Sequence, residues 1–483
     1  MFKMLKESCG FFGTICEDEN ITSNLIYNGL ISLQHRGQEA CGISVLKDKK
    51  VQIKKYLGLV RDSMPVEEIS EMKGNVGIGH VRYSTVGMSR VIDAQPFKID
   101  DGKNSIVLAH NGNLVNYVNL RKELNNTGKD LISTCDAEII LRVFSEELKK
   151  SKDIEDTILG TMERLEGSYS VVSFLNNGKF IAFRDPFGFR PFCYGITDSK
   201  KIFASESVAL EVNEVPLKSD VKPGHLMIVD KNGKIEDKEI FHCKNTAHCM
   251  FEYVYFSRPD SVVDGKCVYD VRVRLGEKLA EIYDGNADVV VPVPDTSRAA
   301  AEGISRKIGL PVAEGLIKNR YIGRTFIMPN QNMRDTAVKM KMHPIKSVLK
   351  DKHVILVDDS IVRGTTSKKI VSMVKEAGAK KVDLWITCPP IISPCFYGID
   401  ISTHGELIAA NNKISDVEKI VGVNNLCYQK IDGLIDSIGF NKCDLCMACL
   451  TGEYPTQIAQ KIADKMKNQT SLKKIRYWED ENI

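Results

Sequence analysis

Net charge is nearly absent from this 483-residue chain: 66 lysines and arginines meet 63 acids, for a formal +3. So balanced a chain gives no electrostatic reason to expect a nucleic-acid or membrane partner. No apolar run approaches the ~20 residues a spanning helix needs. The opening MFKMLKESCGFFG carries lysines but no apolar core, so it does not read as a secretory signal. It also lacks the small, apolar run expected ahead of a lipid-modified cysteine. Internal repeats, low-complexity linkers and DNA-binding motifs are missing too. What remains is a globular chain, expected in the cytoplasm, and too long for a single core.

Cysteine, by contrast, is plentiful at 14 residues. Without a secretory signal these are not expected as disulfides. Catalysis, metal binding and small apolar core positions remain, with most of the thiols assigned to the last.

The chain has two halves with different patterning. From Cys9 to about 235, short strands such as 41–46, 75–84, 105–114 and 168–175 alternate with glycine and polar turns. Helical spacing covers 21–37 and 135–151. This predicts two antiparallel sheets covered by helices. After about 265, apolar strands at 287–294, 352–359 and 381–390 alternate with helices, one of them at 365–378. Continuous Val/Ile runs between helices predict a parallel sheet buried on both faces.

In the first half, Cys9 precedes Gly10, and LQHRGQEACG (33–42), GHVRYST (79–85), HNGNL (110–114) and STCDAE (133–138) place polar residues at the ends of predicted elements. A thiol, arginines, an Asn-Gly pair and an aspartate suit hydrolysis of an amino acid's carboxamide. No general base is evident. A chain-terminal Cys9 would supply one, because an α-amine titrates near ~8; this requires removal of Met1–Ser8. These segments resemble the class-II glutamine amidotransferases, which have the N-terminal-nucleophile hydrolase fold. The resemblance implies Cys9 as nucleophile, Asn111 and Gly112 as oxyanion donors, and Arg82 and Asp136 as glutamine clamps. It places Arg36 and Gly37 beside the thiol. Cys135 stands where that family usually has serine.

In the second half, VILVDDSIVRGTTS (354–367) runs from an apolar strand through two acids into a hydroxyl- and glycine-rich loop that opens a helix. Free N–H groups and the dipole at that helix start suit a phosphate. Gly364 permits close backbone approach, and Ser360, Thr365 and Thr366 add donors. Asp358 and Asp359 suit a ribose and Mg²⁺. A Walker A loop is excluded, because its lysine is absent. The segment resembles the signature of type I phosphoribosyltransferases. That family implies a pyrophosphate loop at VPVPDTSR (291–298), with Asp295, Thr296, Ser297 and Arg298 as contacts, and Ser297, Asp358 and Asp359 around one Mg²⁺. It also implies Arg363 in the substrate loop, and a closing loop across 318–342 with Lys318, Arg320, Arg324, Lys339 and Lys341 as charge partners for pyrophosphate.

Cys443, Cys446 and Cys449 recur at three-residue spacing. Such pairs bind zinc, exchange disulfides or hold Fe–S clusters; with no thioredoxin-like pattern around them, metal is favoured. Nearly the whole chain after Ser8 is similar to the glutamine phosphoribosyl pyrophosphate (PRPP) amidotransferase family, in the branch with a cleaved leader and a 4Fe–4S cluster. The resemblance implies Cys249, Cys395, Cys446 and Cys449 as ligands, with Cys443, Cys243 and Cys388 as competitors, and a clasp role for the cluster. It also implies glutamine and PRPP as substrates, purine nucleotides as feedback inhibitors, an ammonia conduit and a homotetramer. The expected fold is therefore an α+β αββα glutaminase domain (9–235) followed by an α/β type I phosphoribosyltransferase domain (236–470), with a leader at 1–8 and a tail at 471–483. Three other readings compete: an effector-sensing regulator on the same fold, a sugar-phosphate aminating enzyme and an Fe–S oxygen sensor. Glutamine-dependent pyrophosphate release would discriminate against all three.

Overall fold

The structure, a computed structural model, describes residues 9–83, 90–102, 104–126, 128, 131–151, 153–319, 342–401 and 403–468. The expected leader at 1–8, the tail at 471–483, and Arg320, Arg324, Lys339 and Lys341 lie outside the described residues.

The first half is a four-layer sandwich. One antiparallel sheet runs in the order Leu217–Asp220, Cys193–Ile196, Lys200–Ala204, Gly10–Cys16, Val76–Arg82, Ala40–Lys47, Lys50–Leu57. The other runs Ile235–Glu239, His225–Val229, Phe180–Arg184, Gly167–Leu175, Ser105–Leu114, Phe97–Asp100. Side-chain alternation builds the layers. Phe11 points between the sheets with Val107, Phe174 and Phe180. Its neighbour Phe12 points outward, onto Ile26 and Leu30 of helix Thr22–Ser32. In the second sheet Leu108 packs against Ile140 and Phe144 of helix Asp136–Lys150.

The helix expected over 21–37 ends at Ser32. Gln34 turns the chain there: its side-chain amide donates to Gly37 O at 2.5 Å, and its oxygen accepts from Val60 N at 2.7 Å. That turn frees Arg36 to point inward. The first half also extends past 235, because Ile235–Glu239 is the edge strand of its second sheet.

The second half carries a parallel sheet in the order Val289–Pro292, His353–Asp358, Lys381–Ile386, Asn425–Tyr428. Both faces are buried. Val290, Ile355 and Val357 face Leu279, Ala301 and Ile304 of helices Val268–Ala280 and Arg298–Ile308. Val291, Val354 and Leu356 face the larger core on the other side. That core continues into Cys395, Cys446 and Cys449. A two-residue parallel pairing of His248–Cys249 with Leu445–Cys446 brings the late part of the chain back to the junction between the halves.

Candidate functional site

Cys9 stands just before strand Gly10–Cys16 and is 8% exposed. Its thiol donates to Tyr83 O at 3.3 Å and lies 3.4 Å from the Tyr83 N–H. Burial pushes the thiol pKa up, although the Tyr83 backbone and Arg82 pull the other way. The thiol is therefore neutral and needs a base, and no described histidine bonds to it. Burial opposes the charge on Arg82, at the end of its strand, while the neighbouring acids Asp93 and Glu39 favour it; Cys9 and Cys135 lie within the same reach.

Asp136 opens its helix and is also buried. It lies 3.1 Å from His110 Nε2 and accepts from Leu114 N at 3.2 Å. Burial would raise its pKa, but His110, the Leu114 amide and Arg82 lower it, so Asp136 stays ionised. His80 Nε2 in turn sits 3.1 Å from His110 O. Burial and the neighbouring His110 and Arg82 keep His80 neutral.

Asn111 is fully buried, and neither its side-chain N nor its O has a hydrogen-bond partner among the described residues. An unmet buried amide costs about 1–3 kcal/mol and calls for a partner that arrives with a ligand. The next residue, Gly112, has φ +152°, and a Cβ there would fall 2.0 Å from Ser168 O. No other residue fits, so the strand's backbone is shaped at this point. Gly37 is equally confined, since a Cβ there would meet the Val81 carbonyl carbon at 2.5 Å.

Arg36 bonds to protein groups: Nε to Cys9 O at 3.1 Å, Nη1 to Glu206 at 2.5 Å, and Nη2 to Glu252 at 2.8 Å. It holds the backbone of the thiol residue. Glu206 and Glu252 tie this point to the second half. Glu206 accepts from Arg258 N at 2.9 Å and Ser261 Oγ at 2.5 Å. Glu252 also receives Arg190 at 3.1 Å. The Arg36, Glu252 and Arg190 side chains are 1%, 2% and 0% exposed, so Glu252 neutralises two arginines in a dry junction. Glu252→Gln is expected to cost about 3–5 kcal/mol by leaving those cations underpaired. A thermal midpoint unchanged from the parent would refute this.

The second site forms at the carboxyl end of the parallel sheet. Asp358 and Asp359 end strand His353–Asp358 side by side. Burial raises the pKa of both, and for Asp358 the neighbouring Asp359 charge raises it further. Thr296 Oγ1 and Ser360 Oγ donate to Asp359 at 2.5 and 2.6 Å. Ser297, buried, lies beside Asp358. Gly364 takes the left-handed conformation, φ +73°, immediately before helix Thr365–Glu376, leaving Thr365 exposed and Thr366 half-buried at its start. Arg298 and Lys318 flank Asp295 at 3.7 and 3.0 Å. Arg363 pairs with Glu406 at 2.5 Å. The buried Arg272 donates to Tyr253 O and Ser257 O, each at 2.8 Å, and its charge acts on Asp359.

Cys249, Cys395, Cys446 and Cys449 converge. Cys249 and Cys446 are register partners across the short parallel pairing. Burial raises every one of the four thiols, to about 12 at Cys249. Cys446 and Cys449 are raised further by the nearness of Cys249 and Cys395. Cys443 is exposed, whereas the buried Cys388 lies next to Cys449. No three His, Cys, Asp or Glu among the described residues are close enough to share a single metal ion. A 4Fe–4S cluster takes four cysteine thiolates, and the buried Cys395, Cys446 and Cys449 with the half-buried Cys249, all within electrostatic reach of one another, fit that donor set. Likewise, Mg²⁺ takes only one or two protein carboxylates and completes its shell with substrate oxygens and water, which the Asp358–Asp359 pair fits.

Glu206, Glu252, Arg190 and Arg272 escaped the sequence reading; their one signal was charge set inside apolar or aromatic runs, as in CMFEYVYF (249–256) and FRDPFGFRPF (183–192). His80 and His110 lie inside the quoted segments 79–85 and 110–114, but their pairing was not foreseen.

A glutamine amidotransferase domain family matches residues 40–242, and a phosphoribosyl transferase domain family matches residues 264–391. The amidophosphoribosyltransferase of Methanothermobacter thermautotrophicus is 45% identical over 463 residues, 95% of this chain and 97% of that one. That of Bacillus subtilis is 40% identical over 465 residues, 95% and 96% of the two chains. The solved B. subtilis glutamine PRPP amidotransferase complexed with ADP and GMP superposes with TM-score 0.86 at 40% identity, covering 93% of this chain and 98% of that one. With both domains matched in order and relatives aligned over nearly its full length, the chain belongs to the amidophosphoribosyltransferase family.

Proposed function

We propose that the chain releases ammonia from glutamine at Cys9 and adds it to C1 of PRPP at the Asp358–Thr366 loop, giving phosphoribosylamine, glutamate and pyrophosphate, the first committed step of purine synthesis. The observation that carries this reading is the unpartnered, buried Asn111 amide beside Gly112, on the same chain as the acidic phosphate loop.

Once Met1–Ser8 is removed, the Cys9 α-amine takes the thiol proton. The sulfur attacks the carboxamide carbon, and the Asn111 amide and Gly112 N–H hold the oxyanion. Arg82 receives the substrate carboxylate and Asp136 its ammonium. The protonated amine returns its proton to the leaving ammonia, and water then cleaves the thioester to glutamate. At the second site, Ser360, Gly364, Thr365 and Thr366 receive the 5-phosphate, and Arg298 and Lys339 the pyrophosphate. Arg363 must exchange Glu406 for substrate. Asp358, Asp359 and Ser297 would hold Mg²⁺, which supplies charge neutralisation to the departing pyrophosphate. The C1–O bond breaks, ammonia forms the C1–N bond, and the added nitrogen loses a proton.

Cys249, Cys395, Cys446 and Cys449 would hold a 4Fe–4S cluster. All described cysteines are free, consistent with a reducing, cytoplasmic setting. Purine nucleotides as inhibitors and a homotetrameric assembly complete the proposal; the first has support in the ADP and GMP of the B. subtilis complex. Native protein purified without oxygen is expected to begin at Cys9 and to carry about four irons per chain, read by intact mass and iron analysis. Full-length, iron-free, active protein would overturn both the terminal-amine mechanism and the cluster.

A further inference from the structure

The four-cysteine centre and the glutaminase site share a wall. Residue Cys395 is followed by Phe396, Tyr397 and Gly398, and this segment lies directly behind the strand that carries Asn111 and Gly112. Asn113 Nδ2 donates to Phe396 O at 2.9 Å. Ser168 Oγ donates to Tyr397 O at 2.8 Å and accepts from Asn113 N at 3.0 Å. Gly398 approaches so closely that a Cβ there would lie 3.3 Å from the Gly112 carbonyl. Arg190 donates twice to Tyr397 O, at 3.0 and 2.6 Å, and the same guanidinium reaches Cys249 Sγ at 3.9 Å and Glu252 at 3.1 Å. Glu252 holds Arg36, which holds the Cys9 carbonyl. Two lines thus leave the cysteines, one ending on the oxyanion strand and one on the nucleophile. Every side chain on them except the half-buried Cys249 is buried.

We propose that the Cys395–Gly398 segment is the back support of the oxyanion strand, and that Ser168 and Arg190 are positioning residues tying glutamine hydrolysis to the loading of the four-cysteine site. The proposal rests on the reading of Cys9, Asn111 and the cysteines given above. Oxyanion donors must sit within a few tenths of an ångström of the developing charge. A strand whose rear contacts belong to a cluster ligand's own loop holds that position only while the loop is fixed. Among the described residues the phosphoribosyl site shares none of these bonds, so an intact second site is compatible with a slack first one.

Ser168→Ala removes the hydroxyl that joins Asn113 N to Tyr397 O and touches no substrate. Its glutamine-dependent kcat is expected to fall about 10- to 100-fold, with ammonia-dependent synthesis within about twofold and iron per chain unchanged. Ser168→Thr, which keeps the hydroxyl, should restore most of the loss. Independently of activity, hydrogen exchange of the 105–114 peptide should quicken in Ser168→Ala, and in parent protein whose iron has been removed by chelation, before global unfolding. Equal losses in both activities, or unchanged exchange at 105–114 in either protein, would overturn the tie. If parent protein binds no iron, or Cys9→Ala keeps its glutaminase activity, the underlying reading fails instead, and the two failures are distinct.

Discussion

Cys9→Ala should lower glutamine-dependent phosphoribosylamine formation by at least about a thousandfold, because the neighbouring Cys135 thiol is buried, pushed up to about 12, and has no amine of its own to take its proton. Ammonia supplied as ammonium salt at alkaline pH should still react at nearly the parent rate. The division follows from geometry. Cys9, Asn111 and Asp136 belong to the sandwich half, and Asp358 and Asp359 to the end of the parallel sheet. Glutamine-dependent and ammonia-dependent rates measured on one preparation test it. Loss of both rates in folded, iron-loaded protein would mean that Cys9 serves the second site as well.

Asp358→Asn should do the opposite to activity and something less obvious to stability. Both the glutamine- and ammonia-dependent syntheses should fall about a thousandfold, since charge neutralisation at pyrophosphate would be lost. Metal-free protein, however, should melt at a higher temperature than the parent. Burial, followed by the Asp359 charge, raises the Asp358 pKa in the folded chain. A carboxyl with a raised folded pKa favours folding while protonated, below its unfolded value near ~3.9. That contribution is lost as pH rises through the folded value. At neutral pH the pair therefore opposes folding, and a neutral amide relieves it. The gain should shrink when excess Mg²⁺ is present, because the ion stabilises the parent alone. A melting temperature lower than the parent's in EDTA would show that the asparagine loses more in hydrogen bonds than it gains in charge.

Much of this molecule is legible in its amino-acid sequence. Strand alternation places Ser105–Leu114 and Gly167–Leu175, and continuous apolar runs place His353–Asp358 and Lys381–Ile386. Those features depend on neighbours one or two residues apart. The family resemblance brings together Cys249, Cys395, Cys446 and Cys449, and the structure does so too. Spacing does not exclude Cys388, which lies beside them, nor Cys443, which is exposed. The junction is illegible for a different reason. Arg36 meets Glu252 across 216 positions, and Arg190 meets Tyr397 across 207. Glu252 and Arg190 each stand as a lone charge in an apolar run, and their meaning appears only when the other half of the chain arrives. The end of the first helix at Ser32 is hidden in a similar way, because it depends on Gln34 reaching Val60.

That separation in sequence has a temporal side. Asn113 and Phe396, whose contact backs the oxyanion strand, are 283 residues apart. At about 5–20 residues per second of synthesis, the strand leaves the ribosome roughly 15 to 60 seconds before its support exists. During that interval the sandwich half is present, but Cys395, Cys446 and Cys449 are not yet there to brace it. A nascent or truncated chain would thus be a poor glutaminase, and glutamine would be spared until an acceptor domain had been made to receive its nitrogen.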